Sequence, residues 1–177
     1  MRIISGQYKG RRITAPKKLP VRPTTDLAKE SLFNILHNQY YFDEITVLDL
    51  FSGTGNISYE FASRGVKNIT AVDADYGCVK FIEKTSEEFD MPIIVRKSDV
   101  FKYIERTIEQ HTIIFADPPY KFSLDEFGRM NNAVFKNDLL TEDGVLIIEH
   151  SKYTDLSGLD NFDNARHYGG SVFSFFK

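Results

Sequence analysis

The chain has 177 residues and a formal net charge of −3, with 42% hydrophobic and 27% charged residues. These values are typical of one globular domain with a single sizeable core. No apolar run approaches the roughly 20 residues of a membrane span, and the N-terminus lacks a signal peptide's apolar segment, so we expect a cytoplasmic protein without membrane contact. The lone Cys78 excludes an internal disulfide, and the four histidines show no metal-ligand spacing, so we expect no metal.

The basic residues are unevenly distributed along the chain. Residues 1–25 contain seven of the 22 basic residues and none of the 25 acidic ones. The seven are Arg2, Lys9, Arg11, Arg12, Lys17, Lys18 and Arg22. A basic segment on an acidic body favours a partner that carries phosphate, although a solvated basic surface without a partner gives the same pattern.

The first forty residues predict a small extension of the main body. Two short runs, 2–5 and 11–14, flank a glycine-containing segment and predict a β-hairpin. Three prolines (Pro16, Pro20 and Pro23) then impose an extended connector. Thr24-Thr25-Asp26 offers N-cap chemistry for a helix that reaches about His37. We expect this hairpin and helix to precede a single main domain over residues 41–177.

The main body alternates strand and helix patterns. Apolar runs predict strands at 46–50, 68–72, 93–96, 112–116 and 145–149, and helical spacing predicts helices at 56–64, 76–89, 101–109 and 124–137. Strands this apolar on both faces are typical of a parallel sheet covered by helices on both sides. Residues 164–168 and 171–176 flank Gly169-Gly170, which predicts a closing antiparallel hairpin.

Acidic residues fall at or just after successive predicted strands. The four are Asp49, Asp73, Asp99 and Asp117. Ligands of open α/β sheets bind beyond the carboxyl ends of the strands. After the first strand the chain turns through Phe51-Ser52-Gly53-Thr54-Gly55, whose glycines let the backbone pass close to a ligand. Turns favour Gly and Asp in any case, but their recurrence at one sheet edge predicts a nucleoside cofactor site.

The sequence of this loop favours S-adenosylmethionine over a dinucleotide or a nucleoside triphosphate as the cofactor. A dinucleotide fingerprint needs a third Gly or Ala where this chain has Ser58, and no Gly-Lys-Ser/Thr sequence marks a Walker loop. A helix N-terminus near Gly55 could instead hold the carboxylate of S-adenosylmethionine. Asp73 lies 20 residues after Gly53, the spacing at which a carboxylate can bind ribose hydroxyls.

The turn Asp117-Pro118-Pro119-Tyr120 follows the apolar fourth strand. It combines a carboxylate, a rigid backbone with exposed carbonyls, and an aromatic face. This set suits a planar ring with an exocyclic amino group, because the acceptors can bind the amino protons while Tyr120 stacks on the ring. Prolines also make ordinary tight turns, but this turn has no role in hydride transfer and fits methyl transfer to an amine.

Two further segments make the assignment more particular. They are Arg2-Ile3-Ile4-Ser5-Gly6-Gln7-Tyr8-Lys9-Gly10-Arg11-Arg12 and Arg22-Pro23-Thr24-Thr25-Asp26. With the glycine loop and the Asp-Pro-Pro-Tyr turn, the chain resembles the RsmD family of bacterial 16S rRNA guanine-N2 methyltransferases over nearly its whole length. The loop and the turn are shared by many class I methyltransferases, whereas the N-terminal segments are specific to RsmD proteins.

The resemblance implies a Rossmann-like α/β fold with a seven-stranded, mostly parallel sheet whose last strand is antiparallel. It implies S-adenosylmethionine as the cofactor and 16S rRNA, or an assembly intermediate of the small ribosomal subunit, as the partner. The implied cofactor contacts are Asp49, Phe51, Ser52, Gly53, Thr54, Gly55, Asp73, Ala74, Asp99, Val100 and Asp117. The implied catalytic residues are Asp117, Pro118, Pro119 and Tyr120, and the implied RNA contacts are Arg2, Lys9, Arg11, Arg12, Arg22 and Thr24.

Several alternatives remain open from the sequence. The same chemistry serves DNA adenine-N6 and protein-glutamine methyltransferases, although a DNA enzyme usually needs a larger recognition domain. A non-catalytic RNA-binding module with a vestigial cofactor site is a second class, and a nicotinamide dehydrogenase is a third, disfavoured by Ser58. Nothing in the sequence calls for more than a monomer.

Overall fold

A computed structural model of the chain describes residues 1–16, 19 and 24–177. The helices are α1 (Asp26–His37), α2 (Asn56–Ser63), α3 (Tyr76–Glu88), α4 (Val100–Arg106) and α5 (Leu124–Lys136). The strands are β1 (Thr46–Leu50), β2 (Asn68–Asp73), β3 (Ile93–Lys97), β4 (His111–Ala116), β5 (Leu140–Ser151), β6 (Phe162–Tyr168) and β7 (Ser171–Phe176). None of the described helices is long and apolar enough to cross a bilayer.

The seven strands form one sheet in the order β3-β2-β1-β4-β5-β7-β6. The first five run parallel to one another, and β7 is antiparallel to both β5 and β6. The predicted α/β fold with an antiparallel last strand is therefore confirmed. The strand order reverses direction at β1 and β4, the kind of switch point at which open α/β sheets bind ligands.

Helices cover both faces of the sheet. Because side chains alternate along a strand, Val47 of β1 and Phe115 of β4 pack with Phe33 of α1 on one face. Leu48 of β1 packs with Met130 of α5 on the other face. These two apolar cores account for the continuous apolar runs in the sequence and confirm the predicted double coverage.

A buried ion pair joins the N-terminal segment to the main body. Lys29 on α1 and Glu60 on α2 lie 3.3 Å apart, Nζ to Oε2, with side chains 1% and 0% exposed. Glu60 also accepts the backbone amides of Ile4 at 2.8 Å and Ser5 at 3.0 Å, and the Nε of Arg64 at 2.8 Å. Burial lowers the pKa of Lys29, and the Glu60 carboxylate opposes that shift. The segment 1–5 is thus held by side chains of α2.

The predicted N-terminal hairpin is shorter than expected. An isolated β-bridge joins its two runs, between Arg2 and Arg12. The ladder does not extend further because α2 binds backbone groups that additional strand pairing would use. Glu60 takes two amides, and the hydroxyl of Ser63 donates to the Ser5 carbonyl at 2.6 Å. At Gly6, where φ is +84°, an added Cβ would lie 1.8 Å from the Ser63 carbonyl oxygen, so this close approach requires glycine.

The largest boundary differences from the sequence prediction are in α4 and β5, while the other differing boundaries shift by one or two residues. Helix α4 begins at Val100 because the Asp99 side chain accepts the Lys102 amide at 3.1 Å, and it ends at Arg106 rather than 109. Strand β5 begins at Leu140, which pairs with His111 ahead of a register shift, so a polar stretch that resembles a turn lies within the strand. Most of the predicted extended connector, from 17 to 23, lies outside the described residues apart from Leu19.

Replacing Glu60 by Gln tests the buried ion pair. Without the carboxylate, the Lys29 cation remains buried without its charge partner, so we expect the free energy of unfolding at pH 7 to fall by about 3–5 kcal/mol. Urea denaturation measures this change. The matched control Glu105→Gln, at an exposed position of α4, should change stability by no more than about 0.5 kcal/mol. A loss below about 1 kcal/mol for Glu60→Gln would contradict the ion pair's role.

Candidate active site

A cleft of about 590 Å³ opens at the carboxyl ends of the five parallel strands. Its volume is in the usual range for a small-molecule site. The predicted site residues that line it are Thr24, Asp49, Phe51, Ser52, Gly53, Thr54, Asp73, Ala74, Asp99, Val100, Asp117, Pro118, Pro119 and Tyr120. The structure therefore brings the predicted cofactor and amine-binding residues, which are far apart in the chain, to one place.

The loop between β1 and α2 is held by a neighbouring strand. Asp73, at the end of β2, accepts the Gly53 amide through Oδ2 at 2.8 Å, and burial raises its pKa. Gly55 is the N-cap of α2 with φ +81°, and an added Cβ would lie 2.8 Å from the Tyr59 ring. Gly55 thus packs against α2 and, unlike the other predicted loop residues, does not line the cleft.

Asp49 is a buried carboxyl group at the end of β1. It is 2% exposed and accepts the Ser58 hydroxyl at 2.5 Å. Burial raises the pKa of Asp49 to about 7, with a further contribution from the nearby Asp73 charge, while the Ser58 hydrogen bond opposes the shift. Ser58, which departs from the dinucleotide fingerprint, therefore serves here as the partner of a titratable group in the cleft.

The described lining of the cleft is strongly acidic. Its carboxyl groups are Asp49, Asp73, Asp75, Asp99, Asp117 and Glu149. Lys121 is the one basic side chain in this described lining. Such a site favours a ligand that carries positive charge and disfavours the pyrophosphate of a dinucleotide.

The Asp-Pro-Pro-Tyr turn lies at one end of the cleft. The Asp117 amide donates to the Leu50 carbonyl of β1 at 3.4 Å, and the Phe122 amide donates to the Pro119 carbonyl at 2.9 Å. Pro118 is buried, whereas Tyr120 is 64% exposed. The turn therefore fixes Asp117 to the sheet and leaves an aromatic ring at the mouth of the cleft.

Cys78 also lines the cleft. It is buried, and burial raises the pKa of its thiol to about 12, so it remains protonated and is a poor nucleophile. Across the described residues, no group of three or more His, Cys, Asp or Glu side chains could hold a metal ion.

Glu149, at the carboxyl end of β5, was not among the predicted site residues. It is 6% exposed, and its Oε2 accepts the Thr24 hydroxyl at 2.7 Å. The Thr24 carbonyl accepts Asn56 Nδ2 at 3.3 Å, and Asn56 Oδ1 accepts Lys29 Nζ at 2.8 Å. The other lining residues not predicted are Thr25, Asn56, Ile57, Asp75, Cys78, Phe115, Lys121 and Ser171. The sequence contains a signal for Glu149, since it is the last residue of the predicted strand 145–149 and is acidic like the residues at or near the ends of other predicted strands.

Four of the predicted basic RNA contacts, Arg2, Lys9, Arg11 and Arg12, are described by the structure, and none of the four lines the cleft. The Arg2 Nε pairs with Asp26 Oδ2 at 3.2 Å on the surface, and the Arg11 guanidinium lies 5.0 Å from the centre of the Phe89 ring. Lys9 and Arg12 are exposed. Arg22 lies outside the described residues.

Comparisons with known proteins extend over most of the chain. The family model described as "Conserved hypothetical protein 95" matches residues 1–177. YlbH of Bacillus subtilis, named as a candidate rRNA methyltransferase, is 32% identical over 88% of this chain and 85% of its own length. Ribosomal RNA small subunit methyltransferase D of Escherichia coli K12 is 28% identical over 84% of this chain and 74% of its own length.

Solved structures show the same fold. The candidate methyltransferase yhhF of Escherichia coli superposes with a TM-score of 0.85 and 26% identity, covering 99% of this chain and 96% of that chain. The Thermus thermophilus 16S rRNA N2 G1207 methyltransferase RsmC, in complex with AdoMet and guanosine, has a TM-score of 0.71 at 20% identity, covering 90% of this chain and 45% of that one. The latter likeness concerns the fold alone.

The raised pKa of Asp49 predicts a pH-dependent stability. The pKa is about 7 in the folded protein against an ordinary 3.8, so the contribution of the protonated group is full below about pH 4 and is lost as pH rises through 7. This group should lower the free energy of unfolding by up to about 1.4 kcal/mol per pH unit in that window. Asp49→Asn should remove this contribution.

Urea denaturation between pH 5 and 8 measures the effect as the difference between the wild type and the variant. Asp125→Asn, at an exposed position in the first turn of α5, is the matched control and should leave the pH profile unchanged. Parallel profiles for the wild type and Asp49→Asn would contradict the assigned pKa.

Proposed function

Since the chain belongs to the RsmD family, whose model matches residues 1–177, we propose that it methylates the exocyclic N2 of a guanine in 16S rRNA with S-adenosylmethionine. The observation that carries the proposal is the Asp-Pro-Pro-Tyr turn opening into an acidic cleft at the switch point of the sheet. The relatives from Escherichia coli and Buchnera aphidicola are named ribosomal RNA small subunit methyltransferase D. The RNA partner is 16S rRNA or an assembly intermediate of the small subunit.

The cleft fits S-adenosylmethionine by charge. The ligand carries a sulfonium and an ammonium group against one carboxylate, and the described lining is acidic. Asp49 and the loop residues Ser52, Gly53 and Thr54 would hold the methionine part, Asp73 the ribose hydroxyls, and Asp99 with the Val100 amide the adenine. Asp73 already accepts backbone amides, but a carboxylate has about four lone-pair sites, so capacity for ribose remains.

The turn would prepare the amine for attack. The N2 lone pair of guanine is delocalised into the ring, so the nitrogen is a poor nucleophile at rest. Asp117 and the Pro118 carbonyl would accept the two amino protons and favour a pyramidal nitrogen, whose lone pair then points away from the ring. When bound, S-adenosylmethionine supplies an electrophilic methyl group. Asp117 is an acceptor first and can take the proton that the amine releases after transfer.

Orientation and stacking would supply most of the remaining effect. Holding an amine in line with its electrophile can lower a barrier by roughly 7–11 kcal/mol. Tyr120, exposed at the mouth of the cleft, would stack on the extruded base, which is worth about 1–3 kcal/mol. That gain is comparable to the few kcal/mol needed to take a base out of a helix.

The basic N-terminal segment would bind RNA phosphates without reading sequence. Lys9 and Arg12 are exposed, and Arg2 and Arg11 keep surface positions beside Asp26 and Phe89. Separately from RNA binding, we propose that the protein acts in the cytoplasm as a monomer.

The direct test uses small ribosomal subunits from cells that lack this protein. Purified protein and labelled S-adenosylmethionine should place label in N2-methylguanosine of 16S rRNA.

The variant Asp117→Asn should lower the rate of methyl transfer by at least about 100-fold, because an amide NH2 donor replaces one carboxylate oxygen acceptor. The affinity for the cofactor should stay within about twofold. Calorimetry measures that affinity, and Asp125→Asn is the matched control.

Three results would contradict the proposal. Label in DNA, in a protein or in another nucleoside would reject guanine N2 as the acceptor. Loss of cofactor binding in Asp117→Asn would reject its assigned role. Absence of label in every fraction, with cofactor binding intact, would reject the subunit as substrate.

Removing the adjacent charges of Arg11 and Arg12 tests the basic segment. Each phosphate contact contributes about 0.7–0.9 to the slope of log affinity against log salt concentration. Replacing both arginines by Gln should therefore lower the steepness of this slope for RNA by up to about 2. Filter binding at several salt concentrations measures the slope, with Arg106→Gln on α4 as a single-charge control remote from the segment. An unchanged slope would contradict RNA binding by the segment.

A further inference from the structure

Two carboxylates lie side by side at the carboxyl ends of β4 and β5. Ala116 of β4 is in register with Ile148 of β5, so the next residues, Asp117 and Glu149, are neighbours about 5 Å apart at the backbone. Both line the main cleft, and both also line a recess of about 20 Å³ beside the turn. Each residue follows the last register pair, Ala116 and Ile148, by one position, so alternation along the strands places both side chains on the same face at the shared cleft.

The Glu149 side chain is held in place. It lies at the end of β5, paired with Phe173 of β7, on the face of the sheet that α1 covers. The Thr24 hydroxyl donates to Oε2 at 2.7 Å, and Asn56 fixes Thr24 through its carbonyl. A buried carboxylate costs free energy, and this one borders the cleft rather than filling a gap in the core. Its position beside the amine-binding turn indicates a role with the substrate.

The bases differ in what they present next to the amino group. In guanine, the carbon that bears N2 lies between two ring nitrogens; N1 carries a hydrogen and N3 is an acceptor, so N1–H and the N2 amino group form a row of donors on the N1 side. In adenine and cytosine, the ring nitrogen beside the amino group is an acceptor. A second carboxylate next to the amine-binding one therefore attracts guanine and repels the ring-nitrogen lone pair of adenine or cytosine.

We propose that Glu149 determines base specificity by accepting the N1–H of the target guanine while Asp117 and the Pro118 carbonyl accept the N2 protons. This inference rests on the proposed function, because it assumes that a base enters the cleft. It adds a residue that the motif does not contain, and it explains how a turn shared by adenine, cytosine and guanine enzymes becomes selective in this chain. Thr24 is a positioning residue that orients the Glu149 carboxylate.

Nucleoside analogues separate the two contacts. Guanosine has both N1–H and the 2-amino group, inosine has N1–H alone, and 2-aminopurine riboside has the 2-amino group without N1–H. Their dissociation constants can be measured by NMR titration of the protein saturated with S-adenosylhomocysteine. Because hydrogen bonds to a charged group are strong, Glu149→Gln should weaken guanosine and inosine by roughly ten- to a hundredfold and leave 2-aminopurine riboside within about threefold.

Asp117→Asn should give the complementary result. It should weaken guanosine and 2-aminopurine riboside and leave inosine within about threefold. Glu142→Gln, at an exposed position of the same strand β5, is the matched control and should change none of the three. Thr24→Val keeps the carboxylate and removes the hydroxyl, so it should reduce guanosine and inosine binding by a smaller factor than Glu149→Gln.

The outcomes distinguish this inference from the proposed function. Equal weakening of all three nucleosides, or no weakening, in Glu149→Gln would overturn the inference while subunit methylation by the wild type still supports the function. If Glu149→Gln fails to fold, Thr24→Val decides the same question by the same analogue pattern. Label in an acceptor other than guanine N2, with no nucleoside bound by the wild type, would overturn the proposed function itself.

Discussion

The buried pair of Lys29 and Glu60 is the constraint on which the rest of the site depends. All eight residues of α2 are buried, an unusual state for a helix that carries a charged residue and several polar ones. The N-terminal segment and α1 provide the cover, and Glu60 holds that cover through two backbone amides and the Lys29 ammonium. The same helix begins at the glycine loop, so the contacts of the N-terminal segment and α1 with α2 also hold the loop residues that line the cleft.

A chain of hydrogen-bonded polar residues runs from that pair to Glu149, at the end of the cleft that contains the Asp-Pro-Pro-Tyr turn. Lys29 donates to Asn56, Asn56 donates to the Thr24 carbonyl, and the Thr24 hydroxyl donates to Glu149. Each member is buried, and buried hydrogen-bonded networks hold their members in defined positions. The N-terminal extension therefore does more than carry positive charge, because Thr24 orients the Glu149 carboxylate beside the Asp-Pro-Pro-Tyr turn. This arrangement joins the N-terminal extension to the Asp-Pro-Pro-Tyr end of the cleft through fixed contacts.

The sequence predicted the elements whose patterns are local. Strand β1 and strand β7 have the predicted limits because each is an apolar run between turn residues, and α1 ends at the predicted His37. The predicted start of β5 is wrong. Leu140 pairs with His111 of β4, a contact that depends on another strand and extends β5 through a polar, glycine-containing stretch. The burial of Lys29 could not be predicted, because charged side chains are rarely fully buried without a partner and the partner is on another helix.

The site shows the same division. The glycine loop, the acidic strand ends and the Asp-Pro-Pro-Tyr turn could each be identified along the chain, and the sheet brings them together. Glu149 carried the same signal as the other strand-end acids, but its position next to Asp117 follows only from the register of β4 and β5. Whether a basic residue lies near the cleft or against Phe89, as Arg11 does, also depends on tertiary packing.

The acidic cleft links stability to ligand binding. Carboxylates gathered at one sheet edge repel one another, and burial raises the pKa of Asp49 and of Asp73. A ligand with net positive charge relieves that repulsion, so part of its binding energy comes from the cost that the empty site imposes on the fold. A site arranged this way favours a sulfonium cofactor over an anionic nucleotide without a specific contact that excludes phosphate. The selectivity comes from the summed negative potential of the carboxylates at this edge of the sheet.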